Sequence, residues 1–199
     1  MDEKTWEENC QTFELDFHSK ENYRWDKLAF EAAWSRHFTE WCGCVSYQYA
    51  GRIVVDVGCG SRPAIDFFTD AVKYYIDPLI GKFAHIPQVV DAWGLDQCLH
   101  SFDVPAEKQI HSLMGAASFV NCWNVLDHCC AWRSVLANVS TYARQGALVA
   151  LSTDFAPHTG HVGIDDPEGL MEMVRADFDI LRDEPGYWGR AAAMMLRRK

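Results

Sequence analysis

Short apolar runs rich in β-branched side chains recur along the chain, and stretches with helical spacing lie between them. Such runs are typical of buried strands. Strands that alternate with helices form a mostly parallel sheet covered on both faces, so the pattern predicts an α/β three-layer sandwich. The last two runs flank Pro185-Gly186 and are predicted to pair antiparallel. The predicted strands are 52–57, 72–76, 100–104, 117–123, 147–152, 178–181 and 191–196.

Helices are predicted from apolar residues that share a face and from residues typical of helix ends. Pro63 suits the first position of a helix that continues through Phe68. An amphipathic pattern starts near Ala131, and Gly146 is predicted to end that helix. Asp166 is the predicted N-cap of the next helix. A shorter helix is predicted near 81–86, where the pattern is weakest.

The N-terminal segment carries a stripe of aromatic residues. Phe30, Trp34, Phe38 and Trp41 recur at helical spacing and fall on one helix face. Such a stripe packs on a core in most helices, and the alternative is a lid whose aromatic side chains line a substrate pocket. The predicted organisation is a helical cap over residues 1–50 and one compact domain over 51–199.

The chain has 199 residues and a formal net charge of −10. A domain of this length can bury a substantial core. The negative charge argues against a nucleic acid or an anionic membrane surface as the main partner. The sequence shows neither an apolar run of the roughly 18 residues that span a membrane nor a secretory leader, so we expect a cytoplasmic protein.

The eight cysteines are expected to be reduced thiols, many of them packed in apolar runs. Cys42-Gly43-Cys44 and Cys129-Cys130 lack the Cys-x2-Cys spacing of zinc sites. No metal site is therefore predicted.

A glycine-containing loop follows the first predicted strand. Ligands of open α/β sheets bind beyond the carboxyl ends of the strands, where Gly58-Cys59-Gly60 lies. Asp77 ends the second strand, where an acid can accept hydrogen bonds from both hydroxyls of a ribose. Pro63 replaces the small third residue of the dinucleotide fingerprint, and no Gly-Lys-Ser/Thr follows, so a nucleoside ligand of another kind is favoured.

Five motifs in order resemble those of class I S-adenosylmethionine-dependent methyltransferases. The resemblance covers about residues 52–199 and implies a Rossmann-like three-layer sandwich, with a mostly parallel seven-stranded sheet and an antiparallel last strand. Arg62 departs from the pattern because many members carry a third glycine there, so the turn is either reshaped or Arg62 points to solvent. The matching segments are Val54–Gly60, Tyr75–Pro78, Ala106-Glu107, Phe119–His128 and Gln145–Val149.

The resemblance implies S-adenosylmethionine as cofactor and S-adenosylhomocysteine as product. Gly58 and Gly60 would form the floor under the methionine part, with Cys59 beside the cofactor. Asp56 would hold the ammonium group, directly or through water. Asp77, followed by Pro78, would accept the ribose hydroxyls.

Further contacts are implied around the two ends of the cofactor. Ala106 and Glu107 would border the adenine, and Asn124, Val125 and Leu126 would line the methionine side. Tyr23 and Arg24 of the covering N-terminal segment are weaker candidates. Arg24 would pair with the cofactor carboxylate, or it is a solvated helix charge.

The acceptor is predicted to be a small molecule, with a protein side chain as the other class left open. Amino-methylating DNA enzymes carry a proline pair after the fourth strand, and base-carbon methylation uses a Pro-Cys nucleophile. Asn124-Val125-Leu126-Asp127 has no proline pair, and no cysteine follows a proline. The sequence leaves a homodimer open.

Three histidines are candidate general bases, because an imidazole exchanges protons near neutral pH. They are His128, after the fourth strand, and His158 and His161, in the long loop after the fifth. Alternatively they are structural, or His158 and His161 bind a metal with Asp154. Two other functions stay open: a cofactor-binding protein without methyl transfer, and an enzyme with other chemistry on S-adenosylmethionine.

Overall fold

A seven-stranded sheet forms the centre of the protein. The computed structural model describes residues 6, 10–20, 27–94, 100–157 and 161–199. The strand order is β3-β2-β1-β4-β5-β7-β6, and β7 alone runs antiparallel to its neighbours. The predicted sandwich with a mostly parallel sheet is therefore confirmed. The strands are β1 (Ile53–Val57), β2 (Val72–Ile76), β3 (Ser101–Phe102), β4 (Ala117–Trp123), β5 (Ala143–Thr153), β6 (Phe178–Asp183) and β7 (Ala192–Arg198).

Helices cover both faces of this sheet. Helix α6 begins as predicted at Asp166, whose side chain accepts a hydrogen bond from the Gly169 backbone N–H. Several elements are connected by short 3₁₀ or π-helical turns of three to five residues. The helices are α1 (Thr12–Lys20), α2 (Lys27–Arg36, continued by a π-helical turn, His37–Trp41), α3 (Ile80–Phe83), α4 (Pro87–Trp93), α5 (Trp132–Tyr142) and α6 (Pro167–Asp177).

The prediction of a helix that starts at Pro63 is wrong. Only a 3₁₀ turn, Ala64–Phe67, forms there, and Phe68 has an extended backbone. Phe67 and Phe68 follow each other, yet both rings pack against Phe38, at 5.2 and 4.9 Å between centroids. A regular helix turns consecutive side chains about 100° apart, so it does not present both rings in this way.

The predicted role of Gly146 is also wrong. Helix α5 already ends at Tyr142, and Gly146 lies within β5 with φ of +76°. The pairing of β4 with β5 shifts register between Ala117 and Phe119, so the β5 strand carries extra residues there. The positive φ of Gly146 accompanies this irregularity, as it does in β-bulges.

Two hydrophobic clusters fill the space on the two faces of the sheet. Val55 and Val57 of β1 belong to one cluster, and Val54 belongs to the other, as the alternation of side chains along a strand requires. The second cluster includes Phe38 and Trp41, which are fully or nearly fully buried. The C-terminal part of the aromatic stripe is therefore core. The division into a cap and a domain stays a prediction.

None of the helices in the described part of the chain is long and apolar enough to cross a membrane.

Candidate functional site

A cavity of about 830 Å³ opens at the carboxyl ends of β1, β2 and β4, beneath α1 and α2. This is the edge of the sheet where ligands of open α/β folds bind. Its volume lies in the range of small-molecule sites. Eleven predicted site residues line it: Asp56, Gly58, Cys59, Gly60, Asp77, Pro78, Ala106, Asn124, Val125, His128 and His161.

Two other predicted residues do not line the cavity, and three more lie outside the described part of the chain. Leu126 is buried in the core, and Glu107 caps the segment before α5 by accepting hydrogen bonds from the Cys130 and Ala131 N–H groups. Tyr23, Arg24 and His158 lie outside the described residues.

The glycine loop turns directly over the end of β2. The Gly58 and Cys59 N–H groups both donate to the Ile76 carbonyl, at 2.7 and 3.3 Å. Gly58 and Gly60 have φ of +67° and +61°, which only glycine adopts readily. A Cβ on Gly58 would lie 2.5 Å from Cγ2 of Val125, whereas a Cβ on Gly60 would meet no atom of the described residues within 4 Å. Gly58 therefore allows the loop to pack closely against Val125. Gly60, which lines the cavity, leaves open space beside it.

Asp77 joins this loop to the next strand. Its Oδ2 accepts a hydrogen bond from the Gly60 N–H at 2.9 Å, and its Oδ1 accepts one from the Leu79 N–H at 2.8 Å. Two backbone donors thus fix the carboxylate at the cavity wall. Each carboxylate oxygen can accept more than one hydrogen bond, so Asp77 can still receive hydroxyl donors.

Asp56 lies at the floor of the cavity and is almost fully buried. Burial raises its pKa to about 7, although a hydrogen bond from Asn121 Nδ2 to Oδ1, at 2.7 Å, and the nearby backbone N–H groups of Ile65 and Ala64 partly offset this effect. Within the described structure, Asp56 Oδ2 and Asn121 Oδ1 have no hydrogen-bond partner. Two orphaned acceptors on one buried floor call for a ligand with several donors, ideally a cation.

Asn124 adds a third acceptor just beyond β4. Its backbone lies in the left-handed region, with φ of +62°, and is held by bonds from its N–H to the Ser152 carbonyl and hydroxyl. Its Oδ1 is buried and has no partner among the described residues. Strained backbone of this kind is frequent at functional sites.

Arg62 occupies the place of the missing third glycine. Its guanidinium lies over the Phe30 ring at 5.1 Å from the centroid, and both residues line the cavity. The substitution therefore couples the glycine loop to α2 through a cation–π contact.

A group of titratable residues lies at another part of the cavity wall. His161 Nδ1 is 2.6 Å from Asp127 Oδ2, and Thr153 donates to Asp127 Oδ1 at 3.0 Å. His128 lies beside His161, with ring centroids 3.7 Å apart, and its Nδ1 is 3.2 Å from Glu14 Oε1. Burial alone raises the pKa of Asp127, but the hydrogen bond from His161 and the nearby imidazole charges outweigh it and lower that pKa below its ordinary value.

Asp154, the carboxylate considered with His158 and His161 as a metal ligand, is engaged elsewhere. Its Oδ2 pairs with Arg190 at 2.6 Å, and its Oδ1 accepts from the Ala191 N–H at 2.9 Å. The Arg190 Nε–H is buried without a partner among the described residues and adjoins the cavity.

Sequence reasoning missed several residues of the wall. Asn121 lies opposite Asp56 in the β1–β4 register, so a strand alignment would have found it. Glu14 and Trp6 reach the site from the N-terminal segment, and Trp6 Nε1 donates to the His128 carbonyl across 122 residues of sequence. No local signal predicts such a contact.

Several solved structures share this architecture over most of the chain. One match is the 1,6-didemethyltoxoflavin-N1-methyltransferase of Burkholderia thailandensis, with bound 1,6-didemethyltoxoflavin and S-adenosylhomocysteine. Its TM-score is 0.62 at 16% identity over 95% of this chain and 86% of that one. Magnesium protoporphyrin IX methyltransferase from Synechocystis PCC 6803, with bound S-adenosylmethionine, has a TM-score of 0.61 at 15% identity over 96% and 98% of the two chains.

The chain has the class I methyltransferase fold. The fold also accommodates the [4+2]-cyclase SpnF, which has a TM-score of 0.61 at 17% identity over 88% of this chain and 73% of that one. No protein-family model and no curated protein matches the sequence. At these identities the likeness concerns the fold, and the chemistry must be argued from the cavity.

Proposed function

We propose that this chain binds S-adenosylmethionine in the glycine-loop cavity and transfers its methyl group to a small-molecule acceptor. The observation that carries the proposal is a pair of buried acceptor oxygens on the cavity floor, Asp56 Oδ2 and Asn121 Oδ1, which have no hydrogen-bond partner in the described part of the chain. An ammonium group supplies three N–H donors and a positive charge. It would satisfy these oxygens and repay part of the cost of burying Asp56.

The rest of the cofactor fits the same wall. Asp77, fixed by the Gly60 and Leu79 N–H groups, would accept the ribose hydroxyls. Gly60 leaves room for close approach of the ligand to the backbone, and Ala106 would border the adenine. When bound, S-adenosylmethionine supplies a methyl group on a sulfonium, which is already activated for displacement.

The acceptor side of the cavity is mainly aromatic. Trp34 packs edge-on to Trp188 at 5.2 Å and to Trp123 at 6.4 Å between ring centroids. Flat apolar surfaces of this kind favour a compact acceptor with an aromatic or conjugated ring. The chain's task is then to hold that ring, exclude water and align the nucleophilic atom. The aromatic lining comprises Trp6, Phe13, Phe17, Phe30, Trp34, Phe83, Trp123 and Trp188.

A hydroxyl acceptor must lose a proton during transfer. His128 and His161 stand in the cavity wall, and a neutral imidazole can take such a proton directly. The negative net charge continues to disfavour nucleic acid as the acceptor.

The test is methyl transfer itself. The full chain would be incubated with methyl-labelled S-adenosylmethionine and a panel of hydroxylated and amino-substituted ring compounds, and products would be identified by mass spectrometry. The Asp56→Asn variant serves as the cofactor-site control. Label in at least one acceptor, with S-adenosylhomocysteine formed in equal amount and both lost in the variant, supports the proposal.

A second candidate is cofactor binding without methyl transfer, including other chemistry in the same cavity. A cyclase is among the solved structures with this fold, and this observation favours the second candidate as an alternative to methyl transfer. It predicts tight binding of S-adenosylhomocysteine with no labelled product from any acceptor class in the panel.

A further inference from the structure

Three side chains from distant parts of the sequence converge at the cavity wall. Glu14 comes from α1, His128 from the 3₁₀ turn after β4, and His161 from the segment after β5. One ligand-type atom of each lies within 4.8 Å of the others. Two imidazoles and one carboxylate are a donor set that binds divalent transition metals.

The spacing of Glu14 and His128 fits a shared cation. Their nearest ligand-type atoms, Oε1 and Nδ1, are 3.2 Å apart. Ligands placed 2.0–2.2 Å from a tetrahedral zinc ion lie roughly 3.3 Å from one another. These two atoms therefore need little movement to hold a cation between them.

His161 is oriented in the way that metal-binding histidines usually are. Its Nδ1 donates to Asp127 Oδ2 at 2.6 Å, and Asp127 is fixed in turn by the Thr153 hydroxyl. A carboxylate behind one ring nitrogen places the proton there and leaves the lone pair on the other nitrogen, Nε2.

Asn124 can play the corresponding role for His128. Its side-chain amide lies 3.1 Å from His128 Nε2, and its Oδ1 is otherwise without a partner in the described structure. With the amide turned over, Nε2–H donates to Oδ1, and the lone pair of His128 is then on Nδ1, facing Glu14.

We propose that Glu14, His128 and His161 form a binding site for one divalent transition-metal cation of the Zn²⁺ type. Imidazole ligands favour such ions over Mg²⁺ and Ca²⁺, which take mainly oxygen ligands. Three protein ligands leave a coordination position open, the arrangement of catalytic rather than structural zinc sites. Because all three residues line the cavity, that position is available to an acceptor.

The role of the cation rests on the proposed function, whereas its binding does not. A cation here would hold the acceptor oxygen and favour loss of its proton to water, so that the imidazoles act as ligands rather than as direct bases. It would also tie α1, through Glu14, across the mouth of the cavity.

The experiment is a titration of the cofactor-free, metal-free full chain with Zn²⁺, followed by calorimetry, and with Co²⁺, followed by visible absorbance. We expect one equivalent to bind. Glu14→Gln and His128→Gln should each weaken binding about 10-fold or more. The exposed residues Glu172 and His111 provide matched controls, and Glu172→Gln and His111→Gln should bind as the parent does. Glu14 is partly exposed, so its variant is expected to fold, which thermal melting checks.

The site would be overturned by the absence of saturable binding, or by equal affinity in the parent and in both ligand variants. Binding that survives both variants and disappears on thiol alkylation would assign the metal to cysteines and overturn it as well. S-adenosylhomocysteine is titrated separately without metal. Loss of that binding alone would count against the proposed function, and loss of Zn²⁺ binding alone would count against the metal site.

Discussion

Asn121 donates to Asp56 across the central β1–β4 pair, at 2.7 Å, yet the second carboxylate oxygen of Asp56 has no partner among the residues that the structure describes. The register places the two residues directly opposite each other. The pair is thus a preformed, half-satisfied floor for a positively charged ligand. Its physical consequences can be measured before any acceptor is known.

The first consequence is a pH-dependent stability of the ligand-free protein. Burial raises the pKa of Asp56 from 3.8 to about 7. The protonated form is favoured in the folded state, so the free energy of unfolding should fall as pH rises from about 4 to 7. The loss should be at most about 4 kcal/mol. Urea unfolding over this range should show the fall in the parent and a flatter profile in Asp56→Asn. Identical slopes in the two proteins would contradict this account, and the exposed Asp179→Asn serves as control.

The second prediction concerns Asp77. Replacing it by Ala removes the partner of the Gly60 N–H and the acceptor that we propose for the ribose hydroxyls. The affinity for S-adenosylhomocysteine should fall by ~1.5–3 kcal/mol, or about 10- to 150-fold. Calorimetry measures the change, with the exposed Asp183→Ala as control. Unchanged affinity in a folded Asp77→Ala protein would remove Asp77 from the site.

A third prediction separates two glycines with similar backbones. Gly51 and Gly60 have φ of +68° and +61°, and a Cβ on either meets none of the described atoms within 4 Å. Gly51→Ala and Gly60→Ala should therefore each cost about 1–2 kcal/mol of stability. Only Gly60→Ala should weaken cofactor binding, because Gly60 lines the cavity and Gly51 does not. Equal affinities in the two variants would show that the ligand does not approach Gly60.

The fourth prediction tests the covering helix α1. Phe13 and Phe17 stack at 6.1 Å between centroids, line the cavity and are 37% and 44% exposed. Replacing both by Ala should change the free energy of unfolding by no more than about 1 kcal/mol, because exposed positions contribute little. Turnover with an acceptor found in the panel should fall through a raised KM. Leu28→Ala is the control, since Leu28 is 72% exposed and not part of the wall. Equal effects of the two changes would remove α1 from the acceptor site.

The strands could be predicted because each is a compact apolar run with a clear stop. Val72–Ile76 ends at Asp77-Pro78, and Ala117–Trp123 is mostly apolar, so both strands match their predicted ranges. The segment after β1 could not be predicted in this way. Its conformation is set by two adjacent phenylalanines that pack against Phe38, far away in the sequence.

In the candidate site too, residues with a local sequence signal could be predicted, and residues brought in by long-range contacts could not. The glycine loop and Asp77 could be predicted from the sequence because they follow two consecutive strands, β1 and β2, at a short and local spacing. Glu14 and Trp6 could not, since they meet His128 only through the folding of the N-terminal segment over the sheet. The orphaned oxygen of Asn121 is likewise visible only when strand register is known.

The most direct test of the account is a calorimetric titration of S-adenosylhomocysteine into the parent chain and into Asp56→Asn. The account predicts saturable binding at one site in the parent and clearly weaker binding in the variant, because the buried carboxylate no longer meets the ligand's ammonium group. A folded parent chain that gives no binding heat at any temperature tested would contradict it.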